Sequence, residues 1–112
     1  MAQYAHRPFF DSSVVATVEN LKSNGGVYLY FIEVSNPNGS NAFLQLFNVA
    51  AANVTIGTTV PNQSYLVPAN GGMDIAFSDP LEFDTALSYA ATTTATGSTA
   101  PGTGLVLNIG WR

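Results

Sequence analysis

With 112 residues, 46% of them hydrophobic, the chain is long enough for one domain with a modest core. Only 9% of its residues are charged, against about 25% in an average soluble domain, and the net charge is −4. The three cations, Arg7, Lys22 and Arg112, lie too far apart in sequence to build the basic patch that nucleic acid requires. The lack of cysteine excludes disulfides, zinc–thiolate clusters and thiol catalysis.

Residues 1–11 read as an N-terminal arm in which Pro8 opposes regular structure, while Tyr4, Phe9 and Phe10 are large apolar groups in need of cover. The remaining residues, 12–112, read as a single domain. Ser12 to Asn20 carries Val14, Ala16 and Val18 on one face of a strand. Lys22-Ser23-Asn24-Gly25-Gly26 then has the Asn-Gly chemistry of a tight hairpin. Val27 to Val34 is apolar on both faces, which predicts a central strand covered on both sides, with Tyr28 and Tyr30 on one face and available to a subunit contact.

Asn36 to Asn41 is almost pure turn composition, and Ala42 to Val49 is a strand. Asn53 to Gly57 is a short strand or loop, and Ser64 to Val67 is a short strand stopped by Pro68 and the Asn70-Gly71-Gly72 turn. Met73 to Phe77 alternates, Asp79-Pro80 marks a turn before Leu81 to Phe83, and Leu87 to Ala91 is a further strand. The Thr/Ala/Gly/Ser tract from Thr92 to Gly104 reads as a flexible, exposed loop. Leu105, Leu107, Ile109 and Trp111 share one face of a buried final strand, with Trp111 in the core or at an interface.

No segment holds a helical period. Short strands between Gly/Pro/Asn turns predict an all-β fold, an antiparallel β-sandwich or jelly roll with a short N-terminal arm. No stretch of about 18 apolar residues exists to span a membrane, and the first residues lack an apolar signal segment; both favour a soluble protein made in the cytoplasm. So charge-poor a surface is expected to be partly hidden in an assembly.

The chemistry-bearing residues form no catalytic pattern. His6 is the lone histidine and sits in the arm, without the rigid neighbour that a Ser–His–Asp base needs. Asp79, Glu82 and Asp84 match no calcium loop and read as turn residues, and no carboxylate pair is singled out for glycoside hydrolysis. Gly97, Gly102 and Gly104 are followed by no lysine, unlike a phosphate loop. The chain is therefore read as a non-enzyme with no cofactor and no metal.

Several segments taken together resemble small virion proteins of tailed bacteriophages, of the capsid decoration (cement) type. They are 35–47 (SNPNGSNAFLQLF), 55–61 (TIGTTVP), 67–72 (VPANGG) and 87–97 (LSYAATTTATG), which together span most of residues 35–97. None is a catalytic signature, and the likeness rests on their order. It implies a β-sandwich or jelly-roll homo-oligomer, often trimeric, that binds the major capsid protein on the capsid surface and stabilises the shell. Tyr4, Phe9 and Phe10 would then anchor the arm to the shell, and Tyr28, Tyr30 and Trp111 would line the subunit interface. A tail, fibre or baseplate domain that binds a receptor or glycan is the alternative.

Overall fold

The structure, a computed structural model, describes residues 6–112. Eight strands run in the order β1 (Arg7–Val14), β2 (Glu19–Lys22), β3 (Val27–Asn36), β4 (Ala42–Phe47), β5 (Gln63–Val67), β6 (Gly71–Phe83), β7 (Leu87–Thr92) and β8 (Leu105–Trp111). A 3-10 turn at Ala51–Asn53 is the only helical element among the described residues. The strands form two four-stranded sheets, a front sheet ordered β1-β8-β3-β6 and a back sheet ordered β2-β7-β4-β5. Every pairing is antiparallel. The all-β sandwich expected from the sequence is therefore the fold.

The alternating apolar positions meet between the sheets. Leu29, Ile32, Val34, Leu105, Leu107 and Ile109 face inward from the front sheet, and Leu44, Leu46, Val67, Leu87, Tyr89 and Ala91 from the back. Each such aliphatic side chain contributes about 1.5–3 kcal/mol by leaving water. The sheets are also joined by polarity: Tyr89 Oη on β7 donates 2.7 Å to Asp11 Oδ2 on β1, and the Phe9 ring meets the Tyr89 ring edge-on at 5.5 Å.

Several local expectations are corrected. Residues 7–11, expected as part of an arm outside the domain, are the start of β1, paired with β8 from Arg7↔Trp111 to Asp11↔Leu107. Pro8 is tolerated because β1 is an edge strand, where a missing N–H can face away from the ladder. Val14 closes β1, and no strand continues through Val18; the chain there crosses to the back sheet and restarts as β2. The Lys22–Gly26 turn joins strands of opposite sheets, so it is a crossover and not a hairpin; Gly25 (φ +97°) donates its N–H to Thr85 O.

β3 is central, between β8 and β6, but its two-sided apolar character has another cause than double cover. A bulge at Tyr30–Phe31 shifts the phase: Val27 and Leu29 point inward before it, Ile32 and Val34 after it. Opposite the bulge, β6 continues through Asp79-Pro80 as one strand, its residues between Ala76 and Leu81 looped out of register.

The Thr/Gly tract at 92–104 is likewise corrected: it is tied down. Gln45 Nε2 donates to Gly97 O at 3.2 Å, and Ser64 Oγ donates to Ala95 O at 2.7 Å. Asn38 Nδ2 donates to Thr103 O at 2.8 Å while its Oδ1 accepts from Thr103 N at 2.7 Å. Asn38 is itself set by the buried Asn36, whose Oδ1 accepts from Asn38 N and Nδ2. Low sequence complexity leaves backbone groups free to be captured by side chains from elsewhere, and β4, β5 and the turn between β3 and β4 supply them.

Candidate interaction face

The outward sides of the two sheets differ. Behind the back sheet, Gln45, Phe47, Ser88 and Thr92 point away from the main core and are still buried. Segments 48–62 and 93–104 cover them: Ser88 Oγ donates to Val49 O, and the two segments touch where Gly57 packs on Ser98. A Cβ at Gly57 would come 2.9 Å from the Ser98 Cβ, and its φ of +87° already suits glycine. No comparable segment crosses the front sheet among the described residues, and among them its outward side is the free face.

Register places the side chains of that face in rows running across all four strands. One row is Pro8, Gly110, Phe31 and Ala76; the next is Phe10, Asn108, Glu33 and Asp74; beyond it lie Val106, Ser35 and Gly72. With strands about 4.8 Å apart, a full row is roughly 14 Å long. Gly110 makes room in the first row, since a Cβ there would overlap the Phe31 ring. His6 extends the apolar end: its ring stacks on Tyr30 at 4.1 Å and lies 6.5 Å from Phe31.

The polar end of the face is a groove of about 270 Å³ lined by Glu33, Ser35, Gly72, Asp74, Val106 and Asn108. Its floor stays open because Gly72 carries no side chain; a Cβ there would come 2.9 Å from Val34 O. Glu33 and Asp74 stand directly opposite each other on β3 and β6, both exposed. Like charges so placed repel, and neither carboxylate has a hydrogen bond or ion pair to another described residue.

The residues singled out from sequence are distributed as follows. Tyr4 lies outside the described residues. Phe9 turns inward onto Tyr89 and the core, so of the two phenylalanines Phe10, 62% exposed, is the one presented. Tyr28 is 45% exposed on the outward side, while Trp111 points inward, packs on the core and lies 5.6 Å beneath the Arg7 guanidinium. Tyr28 and Trp111 thus occupy opposite sides of the front sheet, and no single flat surface on one chain unites them. Tyr30, at the bulge, is engaged by His6.

Asp84 is held apart from Asp79 and Glu82 by its own partners. Its Oδ1 accepts from Asn48 Nδ2 and Thr85 Oγ1, and these bonds hold its carboxyl below the usual range. Among the described residues no group of three or more His, Cys, Asp or Glu side chains converges on a point. Sequence reasoning missed the Glu33–Asp74 pair and the Phe10–Asn108 neighbourhood, because both depend on register between strands distant in the chain. Alternation of Glu33 and Ser35 with Ile32 and Val34 was the one local sign. Comparison with protein-family models, with curated proteins and with solved structures finds no match.

Proposed function

We propose that the chain is a non-enzymatic virion structural protein, a capsid decoration subunit that binds the shell of the major capsid protein and stabilises it. The observation that carries this reading is the asymmetry of the sandwich. The middle of the back sheet's outer side is covered by the chain's own loops, with Leu66 at its edge and Val60 on a covering loop left exposed, while the front sheet presents Phe10 and Tyr28 around half-buried Phe31. Exposed aromatics grouped on one face of a charge-poor domain suit a contact surface. The sequence likeness over residues 35–97 contributes the virion class.

The strand order supports the jelly-roll form of the sandwich. Strand pairs 1·8, 2·7, 3·6 and 4·5 are those of one long hairpin, and they alternate between the two sheets. A hairpin rolled in this way is a jelly roll, an architecture shared by many capsid and lectin domains, and the argument from it is one of fold analogy. In this reading the protein is made in the host cytoplasm, assembles as a trimer, and sits on the capsid surface without contact to nucleic acid or membrane. Many weak contacts to a repeating lattice sum through avidity.

A second reading, a tail, fibre or baseplate domain that binds a receptor or glycan, is favoured by the groove, where Glu33, Asp74 and Asn108 lie beside an exposed aromatic ring. The test is to add purified protein to capsids that lack it and count bound copies. Saturation at hundreds of copies per particle, with a mass near three subunits by light scattering, is the expected result. A handful of copies moves the assignment to the tail, and no binding overturns both virion readings.

A further inference from the structure

We propose that the free face of the front sheet receives a protein segment presenting a cationic side chain beside an apolar one. The apolar group rests on Phe10 and Phe31, and the cation lies in the groove between Glu33 and Asp74. This rests on the docking reading above and specifies the chemistry of the partner.

The two halves of the face follow from its rows. Pro8, Phe10 and Phe31 form the apolar half, where Phe10 is left 62% exposed. At the far end of the row that Phe10 begins, beyond Asn108, Glu33 on β3 and Asp74 on β6 oppose each other at the rim of an open groove, with Asn108 and Ser35 supplying hydrogen-bonding groups. A face about 14 Å wide fits a segment of roughly four extended residues.

Charge selects the occupant. Two carboxylates directly opposite, with no cation paired to either among the described residues, repel each other, and a lysine or arginine between them replaces repulsion with two attractions. Arginine suits the site best because its planar fork donates to two acceptors at once. A neutral sugar would hydrogen-bond to the same groups and leave the repulsion in place. A second copy of the chain would bring the same acidic pair to the contact and a net charge of −4. A calcium ion wants six to eight oxygens, and only two carboxylates converge here.

The probe is a blocked Leu-Arg dipeptide, compared with its Leu-citrulline analogue, which keeps the shape and loses the charge. Both are titrated into isotope-labelled protein while the amide resonances are followed. The arginine peptide is expected to shift Phe10, Glu33, Asp74 and Asn108 and to leave Gln45 and Phe47 behind the back sheet unmoved. Citrulline should bind about three- to tenfold more weakly, the worth of two exposed charge pairs. Glu33→Gln with Asp74→Asn should erase that difference, as should about 1 M salt, where the screening length falls to about 3 Å. Loss of the repulsion leaves this double variant at least as stable as the wild type, so a failure to fold does not obscure the result.

Equal binding of the two peptides overturns the inference, as does a stronger response of the same amides to calcium chloride or to methyl glucoside. Capsid binding separates this inference from the reading beneath it. If Phe10→Ser abolishes binding and the double neutralisation leaves it intact, the cationic partner is wrong and the docking face stands. If neither change matters, the docking face itself is wrong.

Discussion

Tyr89 links the two sheets through one hydroxyl, and removing that hydroxyl alone isolates the link. Tyr89→Phe keeps the ring, its buried position and its edge contact with Phe9, so no cavity opens. What is lost is a 2.7 Å hydrogen bond to the Asp11 carboxylate. Bonds to a charged acceptor are worth about 1.5–3 kcal/mol, and Asp11 is half-exposed, so water can replace the lost donor and the low end applies. With an m-value of about 1.3 kcal/mol/M, a loss of about 1.5 kcal/mol lowers the urea midpoint at pH 7 by about 1.2 M.

The pH dependence gives the same link a second signature. Burial pushes the Tyr89 hydroxyl well above the usual tyrosine range, and the bond to Asp11 with the charges of Asp11 and Glu19 adds to the shift. The folded state therefore keeps a proton that the unfolded chain loses near pH 10. Stability from this group is fully present below pH 10 and falls as pH rises beyond it, by about 1.4 kcal/mol per unit. The phenylalanine variant lacks that loss, so the gap between the two proteins narrows above pH 10 and closes near pH 11. Tyr65, also raised by burial, is present in both and cancels. A variant midpoint within about 0.2 M of the wild type at pH 7, or a gap that stays constant to pH 11, would refute the reasoning.

Two further outcomes are expected. Asn38→Ala removes both clasps on Thr103 and should cost about 1–2 kcal/mol, the value of partly exposed hydrogen bonds. Hydrogen exchange should show the Thr103 amide, which now loses its acceptor, exchanging faster while the amides of β8 stay protected; unchanged exchange at Thr103 would mean that the loop is held elsewhere. Gly110→Ala forces the Phe31 ring off β8 and should lower stability by about 1–3 kcal/mol, an overpacking cost. Restored stability in Gly110→Ala with Phe31→Ala would trace the cost to that contact, and no recovery would place it in the backbone.

How much was legible in the chain depends on the range of the interaction that decides each feature. Local chemistry determined the all-β class, the approximate positions of β4, β5, β7 and β8, and the inward face of Leu105, Leu107 and Ile109. Alternation and turn residues act over a few positions, and nothing distant contradicts them there. Where a distant partner intervened, local reading failed. Pro8 marks a break only if its strand lies inside a sheet, and β1 lies at an edge. The turn at Asn24-Gly25 is sharp in either case, but only the packing of two sheets decides that β2 and β3 part company. Residues 92–104 have no side chains that announce order; Gln45 and Ser64 from two strands and Asn38 from the β3–β4 turn impose it. The candidate face is the clearest case. Phe10, Asn108, Glu33 and Asp74 are spread over most of the chain, and only the register of four strands sets them in one row, because cross-strand pairing carries no trace in the sequence around any one of them.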